Sequence, residues 1–198
     1  MRKTFEGEGI AKIDGFTIFI PGAIKGEKVK ILIVKVLSSH AFGKILEIIE
    51  KSDKRQEVDC KTYKRCGGCT MRHIKYEETL KMKQNAVQSL VNKTLKQKVQ
   101  VCDTVGMENP YYYRNKAQFP VGLGKDGQIV TGFYAGHSHV IVDSAHCCIQ
   151  APVNEQLLAI VKKWMTDHDI APYDETTHKG LVRHILTRVG FKTKEIMV

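Results

Sequence analysis

Cys60-Lys-Thr-Tyr-Lys-Arg-Cys66-Gly-Gly-Cys69 gathers three thiols into ten residues, and no other stretch constrains the chain as much. The freedom of Gly67 and Gly68 lets the backbone wrap so that Cys66 and Cys69 turn toward one ion or cluster. Cys60 reaches the same point once the intervening loop folds back. Three thiols want a fourth ligand, and the candidates downstream are Cys102, Cys147, Cys148 and the nearer His73. The Met-Arg-Lys start lacks the apolar core of a secretion signal, and no run approaches the ~20 apolar residues of a membrane span. A cytoplasmic, reducing location is therefore the expectation, and there six cysteines point to metal more than to disulfides. A redox dithiol at Cys66 and Cys69 lacks the helix start such motifs use. Zinc on four sulfurs, zinc on three sulfurs plus His73, and an iron–sulfur cluster all fit the spacing, with zinc slightly ahead.

A formal net charge of +10 on 198 residues favours a polyanionic partner, either nucleic acid or an acidic membrane surface. The excess is local. Most of it falls within residues 51–100, so the basic region surrounds the cysteine loop and joins the metal question to the partner question.

Before that loop the chain reads as short strands from Glu6 to Ile49. Gly9–Gly15 closes on an Asp-Gly turn, Phe16–Ile20 alternates, Pro21-Gly22 punctuates, and Val29–Val36 and Phe42–Ile49 supply two more strands. Strands at this spacing predict a small antiparallel barrel of the oligonucleotide-binding kind. Gly7-Glu-Gly-Ile-Ala-Lys-Ile-Asp-Gly15, Phe19-Ile-Pro-Gly22 and Gly26-Glu-Lys-Val29 resemble a TRAM domain, a small RNA-binding barrel.

After a polar linker and the cysteine loop, Tyr76, Leu80, Val87, Leu90, Val91 and Leu95 recur at helical spacing and predict a helix that covers the site. From Tyr113 to Val142 the pattern is a β meander. Arg114, Lys116 and Gln118 are placed on one face, and Tyr113, Ala117 and Phe119 on the other. Pro152 opens a second helix with Leu157, Leu158, Val161, Trp164 and Met165 on its buried stripe, and Leu181–Val189 reads as a further strand. Glu195–Val198 looks like the beginning of another strand, which suggests a fragment of something longer. Gly122-Leu-Gly-Lys-Asp-Gly127 satisfies G-x-G-x-x-G literally. No helix follows it, however, so its glycines are read as shaping a hairpin.

Cys60-x5-Cys66-Gly-Gly-Cys69, Tyr113-Arg-Asn-Lys-Ala-Gln-Phe-Pro120, Gly132-Phe-Tyr134, Ile141-Val-Asp143 and Cys147-Cys-Ile-Gln150 resemble, in order, the TRAM-containing RNA (uracil-5-)-methyltransferases. The resemblance covers essentially the whole chain. It implies a [4Fe-4S] cluster on Cys60, Cys66, Cys69 and Cys147, with Cys148 at a variable position and Cys102 a packed core thiol. It also implies S-adenosylmethionine as methyl donor and RNA as partner, 23S ribosomal RNA ahead of transfer RNA. In that family a cysteine thiolate adds to carbon 6 of uracil so that carbon 5 can attack the methyl group, and a carboxylate then removes the carbon 5 proton. Those groups sit in a carboxyl-terminal domain that these residues do not match, so no catalytic residue is assigned.

The expected fold is α+β and mainly β: a TRAM barrel over residues 1–52, then an iron–sulfur-binding domain over 53–198 with antiparallel strands and two helices. Lys64, Arg65, Arg114 and Lys116 are the candidate RNA contacts. Phe133 or Tyr134 is expected to stack on an unpaired base, although strand alternation sends one of the two toward the core. A monomer without membrane attachment is expected. Two other readings stay open. One is a standalone iron–sulfur or zinc RNA-binding protein without activity; the other is a radical enzyme acting on transfer RNA, whose cluster ordinarily follows Cys-x3-Cys-x2-Cys and precedes the barrel.

Overall fold

A computed structural model describes Arg2, Lys3 and residues 7–198. The chain forms two compact units, the first made of residues up to Val58 together with Thr70–Met107, the second of Asp59–Cys69 together with Glu108–Val198. The sequence pattern places a single break after residue 52. Instead the cysteine loop is lent to the second unit by a chain that returns to the first. Glu6, where the pattern starts the barrel, lies outside the described residues.

The first unit holds β1 (Arg2–Lys3), β2 (Gly9–Ile13), β3 (Phe16–Ile20), β4 (Lys28–Val36) and β5 (His40–Glu50) in one sheet of order β1-β2-β3-β5-β4. Asp14 and Gly15, at φ 49° and 83°, make the tight turn joining β2 to β3, with both residues in the left-handed region that such a hairpin demands. One pairing departs from the antiparallel expectation: β3 runs parallel to β5, with Thr17 opposite His40 and Phe19 opposite Phe42. Alternation along a strand reveals its buried face but not its neighbour, so the crossover through β4 could not be read. Ile18, Ile20, Ala23 and Ala41 form the core, with Val29, Ile31 and Ile45 packed against it. Each fully buried isoleucine contributes roughly 1.5–3 kcal/mol.

Beyond β5 the chain is clasped at the root of the cysteine loop. Arg55 bridges Ile74 in antiparallel fashion, the Gln56 amide donates to the His73 carbonyl at 3.0 Å, and the Gln56 side chain donates to the Arg72 carbonyl at 2.8 Å. The Arg55 guanidinium also donates to the Gly22 carbonyl and to the buried Glu27 carboxylate, which fixes this clasp to the connection between β3 and β4.

The α1 helix (Tyr76–Thr94) covers only part of the stripe its apolar residues suggest, with Tyr76, Leu80 and Val91 half-buried. Val87 and Leu90 are each 48% exposed. The covered line is Tyr76, Leu80, Gln84 and Gln88, spaced by four, along which residues 99–107 run as an extended strap. Gln88 donates to the Val99 carbonyl and accepts from the Val101 amide, both at 2.8 Å. Gln84 donates to the Val101 carbonyl, Thr104 to the Leu80 carbonyl, and the Met107 amide to the Tyr76 hydroxyl.

The second unit is a five-stranded sheet of order β10-β9-β6-β7-β8, built from β6 (Lys116–Leu123), β7 (Ile129–Tyr134), β8 (Ile141–Asp143), β9 (His184–Val189) and β10 (Ile196–Met197). All its pairings are antiparallel. The glycines of Gly122–Gly127 shape the β6–β7 hairpin, where Leu123 faces Ile129 and Gly127 takes φ 77°. A Cβ on Gly132 would stand 2.0 Å from the Val142 carbonyl oxygen, so only glycine lets β7 approach β8 this closely. Ala117, Phe119, Val121 and Ile185 of the sheet pack with Leu158 and Met165 of α2 (Val153–Asp167). On α2 the expected Trp164 faces outward, and Asn154 takes an inward place. Asn154 accepts a hydrogen bond from the buried Thr187 hydroxyl at 2.8 Å, which meets the cost of its polar group in the core. Tyr113, expected on the buried face, is exposed because β6 begins only at Lys116.

Candidate metal centre and nucleic-acid interface

The cysteine loop is shaped by its own main chain and then pinned to the sheet of the second unit. Tyr63 donates to the Cys60 carbonyl, and both Arg65 and Cys66 donate to the Thr62 carbonyl. Cys66 bridges Ala135, and the Gly67 amide donates to the Tyr134 carbonyl at 2.9 Å. A Cβ on Gly67 would sit 3.1 Å from the Gly136 Cα and 3.2 Å from the Tyr134 oxygen, so glycine is what allows the loop to lie flat on the β7–β8 turn.

Cys147 comes to this loop from the segment before α2. That segment is held by main-chain bonds: Tyr112 donates to the Cys148 carbonyl, Arg114 to the Ile149 carbonyl, and Gln150 to the Cys147 carbonyl. Burial pushes the Cys147 thiol above its ordinary range, and the nearby Cys60 and Cys66 sulfurs push it the same way, against main-chain hydrogen bonds from Ile149 and Gln150 that hold it down. The structure thus brings Cys60 and Cys66 each within electrostatic reach of Cys147. Cys69, half-buried, closes the same loop. The sulfurs receive polar contacts: the Gly68 amide donates to Cys66 Sγ at 3.3 Å, and the Thr62 hydroxyl lies 3.4 Å from Cys60 Sγ. These contacts reach two of the four candidate sulfurs. Among the described residues, no group of three or more His, Cys, Asp or Glu side chains is gathered so that it could hold a metal ion.

The remaining candidates separate clearly. His73 is buried in the first unit, whereas the four cysteines belong to the second. Cys148 is buried, with its sulfur 3.6 Å from His146 Nε2, and His146 Nδ1 meets the Glu155 carboxylate. Cys102 corrects the expectation of a packed core thiol, because it is exposed on the strap along α1. None of the six cysteines forms a disulfide in the structure.

Lys64 and Arg65 are exposed on the cysteine loop, and Lys116 projects from the first residue of β6. Arg114 is exposed too, and its main chain bridges Gln150, so this cation is set directly on the segment that carries Cys147. Phe133 gives one face to the core, with its ring centroid 5.1 Å from that of Phe119. Tyr134 instead pairs with His139 at 5.4 Å.

Residues 2–46 match the TRAM domain family. Over 195 residues the chain is 45% identical to an uncharacterized RNA methyltransferase of Clostridium acetobutylicum, an alignment covering 97% of this chain and 42% of that protein. It is 42% identical to an uncharacterized RNA methyltransferase of Halalkalibacterium halodurans, across 98% of this chain and 43% of that one. Residues 2–46 therefore carry a TRAM domain, and the chain is similar throughout to proteins named RNA methyltransferases. The chain spans about two fifths of the length of the curated relatives it matches. The fold recurs in a Pyrococcus abyssi tRNA (uracil-54, C5)-methyltransferase crystallised with S-adenosyl-L-homocysteine, at a TM-score of 0.65 and 20% identity, covering 96% of this chain and 44% of that one. No helix among the described residues is long and apolar enough to cross a membrane.

The sequence missed three positioning features. Gly136 receives Gly67, Ala135 bridges Cys66, and Thr62 lies beside the Cys60 sulfur. Only the paired glycines of Cys66-Gly-Gly-Cys69 hinted at so close an approach.

Proposed function

We propose that this chain is the RNA-handling portion of an S-adenosylmethionine-dependent RNA (uracil-5-)-methyltransferase. The observation that carries the reading is 40–45% identity to RNA methyltransferases across nearly the whole chain. Carbon-5 chemistry on uridine is supported by the activity of the structural neighbour. Ribosomal RNA, 23S above all, is the first substrate on family resemblance. Transfer RNA is the second reading, because it is the neighbour's substrate.

Cys60, Cys66, Cys69 and Cys147 are the proposed ligands of a [4Fe-4S] cluster. Their sulfur-only donor set and the amide hydrogen bonds to sulfur support this choice. Methyl transfer from S-adenosylmethionine needs no electron, so a cluster here would order the loop. Lys64, Arg65, Arg114 and Lys116 then hold phosphates, and Phe133 with its neighbour Tyr134 offers rings to an unpaired base. S-adenosylmethionine, when bound by the longer protein, supplies the methyl group. No residue of this chain is assigned to that step, and the chain alone is expected to be inactive. The chain works as a cytoplasmic monomer.

The test has two arms. Protein purified without oxygen should be brown and hold about four irons and four sulfides per chain; colourless protein with stoichiometric zinc overturns the cluster. Cells lacking the gene should lose 5-methyluridine from one RNA when ribosomal and transfer RNA are digested and analysed by mass spectrometry. Unchanged 5-methyluridine in both overturns the activity.

A further inference from the structure

Beside the cysteine loop lies an open concavity of about 500 Å³ lined by Gly67, Gly68, Phe133, Tyr134 and the turn Ala135–His139. Its walls are fixed. Ala135 donates to the Val140 carbonyl, Ser138 donates to the Ala135 carbonyl, and Val140 donates to the Ser138 hydroxyl at 2.9 Å. The floor is main chain, because Gly67, Gly68 and Gly136 carry no Cβ and a flat ring can therefore lie against them. Two rings stand at the rim: Tyr134 and His139, 5.4 Å apart and tilted by 58°. Within electrostatic reach of Tyr134, Arg183 is ion-paired with Glu175 at 2.7 Å and sits 5.8 Å from the centroid of the Tyr173 ring. Lys64 and Arg65 are the residues immediately before Cys66 on the loop that makes the floor.

We propose that this concavity receives one unpaired nucleobase of the RNA, stacked on one of the Tyr134 and His139 rings with the other against its edge, over the Gly67–Gly68 main chain and with its phosphate toward Lys64 and Arg65. The inference rests on the RNA reading above and assigns a base-holding pocket to the cysteine loop itself. Volume, rings and cations each point to a nucleotide. Sites of ~300–1,000 Å³ suit small ring systems, aromatic faces hold any base without reading its sequence, and a cation one or two residues along the loop suits the charge beside it. An apolar peptide side chain would have no use for the histidine and the lysine–arginine pair. The two glycines thus serve two purposes, since one permits docking on Gly136 and both leave the floor bare.

The test compares two probes by fluorescence anisotropy: a uridine dodecamer, and a dodecamer of the same ribose–phosphate backbone without bases. The native chain should prefer the base-bearing strand by about 5-fold or more, as expected for one stacked base. Tyr134→Leu combined with His139→Ala should erase that preference and leave affinity for the baseless strand unchanged. Gly136→Leu is a second route, since its Cβ meets nothing within 4 Å and the added bulk stands in the pocket lining. A wild-type preference in both variants overturns the pocket while the RNA reading stands. Failure of the native chain to bind either strand overturns the RNA reading and the pocket with it.

Discussion

Arg55 clamps Glu27 with both arms of its guanidinium: Nε–H reaches Oε1, and an Nη–H reaches Oε2 at 2.8 Å. The Glu27 side chain is fully buried, and the Ile24 amide donates to its second oxygen at 2.8 Å. Burial alone would raise the Glu27 pKa. The Arg55 hydrogen bond and charge, with the Ile24 and Ser52 amides, outweigh it and hold the carboxyl below its ordinary value. A depressed carboxylate stabilises the fold above its unfolded pKa, and that contribution is lost as pH falls through the folded value. Arg55→Ala should therefore destabilise the first unit by about 3–5 kcal/mol, since it strands a buried charge. Urea melts at neutral pH and at pH 3 test this: the difference between native and variant should shrink at the lower pH, and an unchanged difference would refute the linkage.

Asn154 and Thr187 are a buried polar pair joining α2 to β9. Asn154→Ala leaves the Thr187 hydroxyl unsatisfied and should cost about 1–3 kcal/mol, whereas Asn154→Leu with Thr187→Val removes both partners and should cost clearly less than the two single changes together. A double-mutant cycle by chemical denaturation measures the coupling. Additive costs would mean that the bond contributes nothing.

The cysteines should divide by position. Cys147→Ser should lower the bound iron of anaerobically prepared protein, while Cys102→Ser and Cys148→Ser should leave it at the native level. Cys102 is exposed, so it should be the fastest thiol to react with a chromogenic disulfide in the folded state, and Cys148 should react only on unfolding. Full iron retention in Cys147→Ser would remove this residue from the ligand set.

Arg114 and Lys116 should act on RNA through charge. Neutralising both to glutamine should weaken binding and flatten the plot of log affinity against log salt by ~1.4, since each phosphate that a side chain neutralises on a single strand adds ~0.7 to the slope. An unaltered slope in a titration from low to high salt would show that neither side chain meets a phosphate.

Local signals were legible where one segment carried its own instruction. Asp14-Gly15 demanded its turn, Ala117 and Phe119 alternated inward against Lys116 and Gln118, and the missing helix after Gly127 ruled out a nucleotide loop. What escaped depends on a partner distant in sequence. Gln84 and Gln88 look like solvated residues until the strap at Val99–Asp103 supplies their acceptors, and so α1 exposes Val87 and Leu90, which its apolar periodicity had placed inside. Asn154 needed Thr187, thirty-three residues away, before a polar side chain could outrank Trp164 for the interior. The parallel pairing of Thr17 with His40 left no trace in either strand's composition. Of the candidate site, the thiol spacing was visible throughout, whereas the seat for Gly67 on Gly136 existed only once β7 and β8 had met.

The clasp formed by Arg55 and Gln56 with His73 and Ile74 lies within the first unit and brackets the loop that belongs to the second. The polypeptide passes from one unit to the other at Val58, at Cys69 and again at Met107. A protease that nicks any one of these crossings leaves both fragments holding part of each other's native packing. No single scissile bond therefore divides this chain into fragments that each hold one whole unit and nothing of the other.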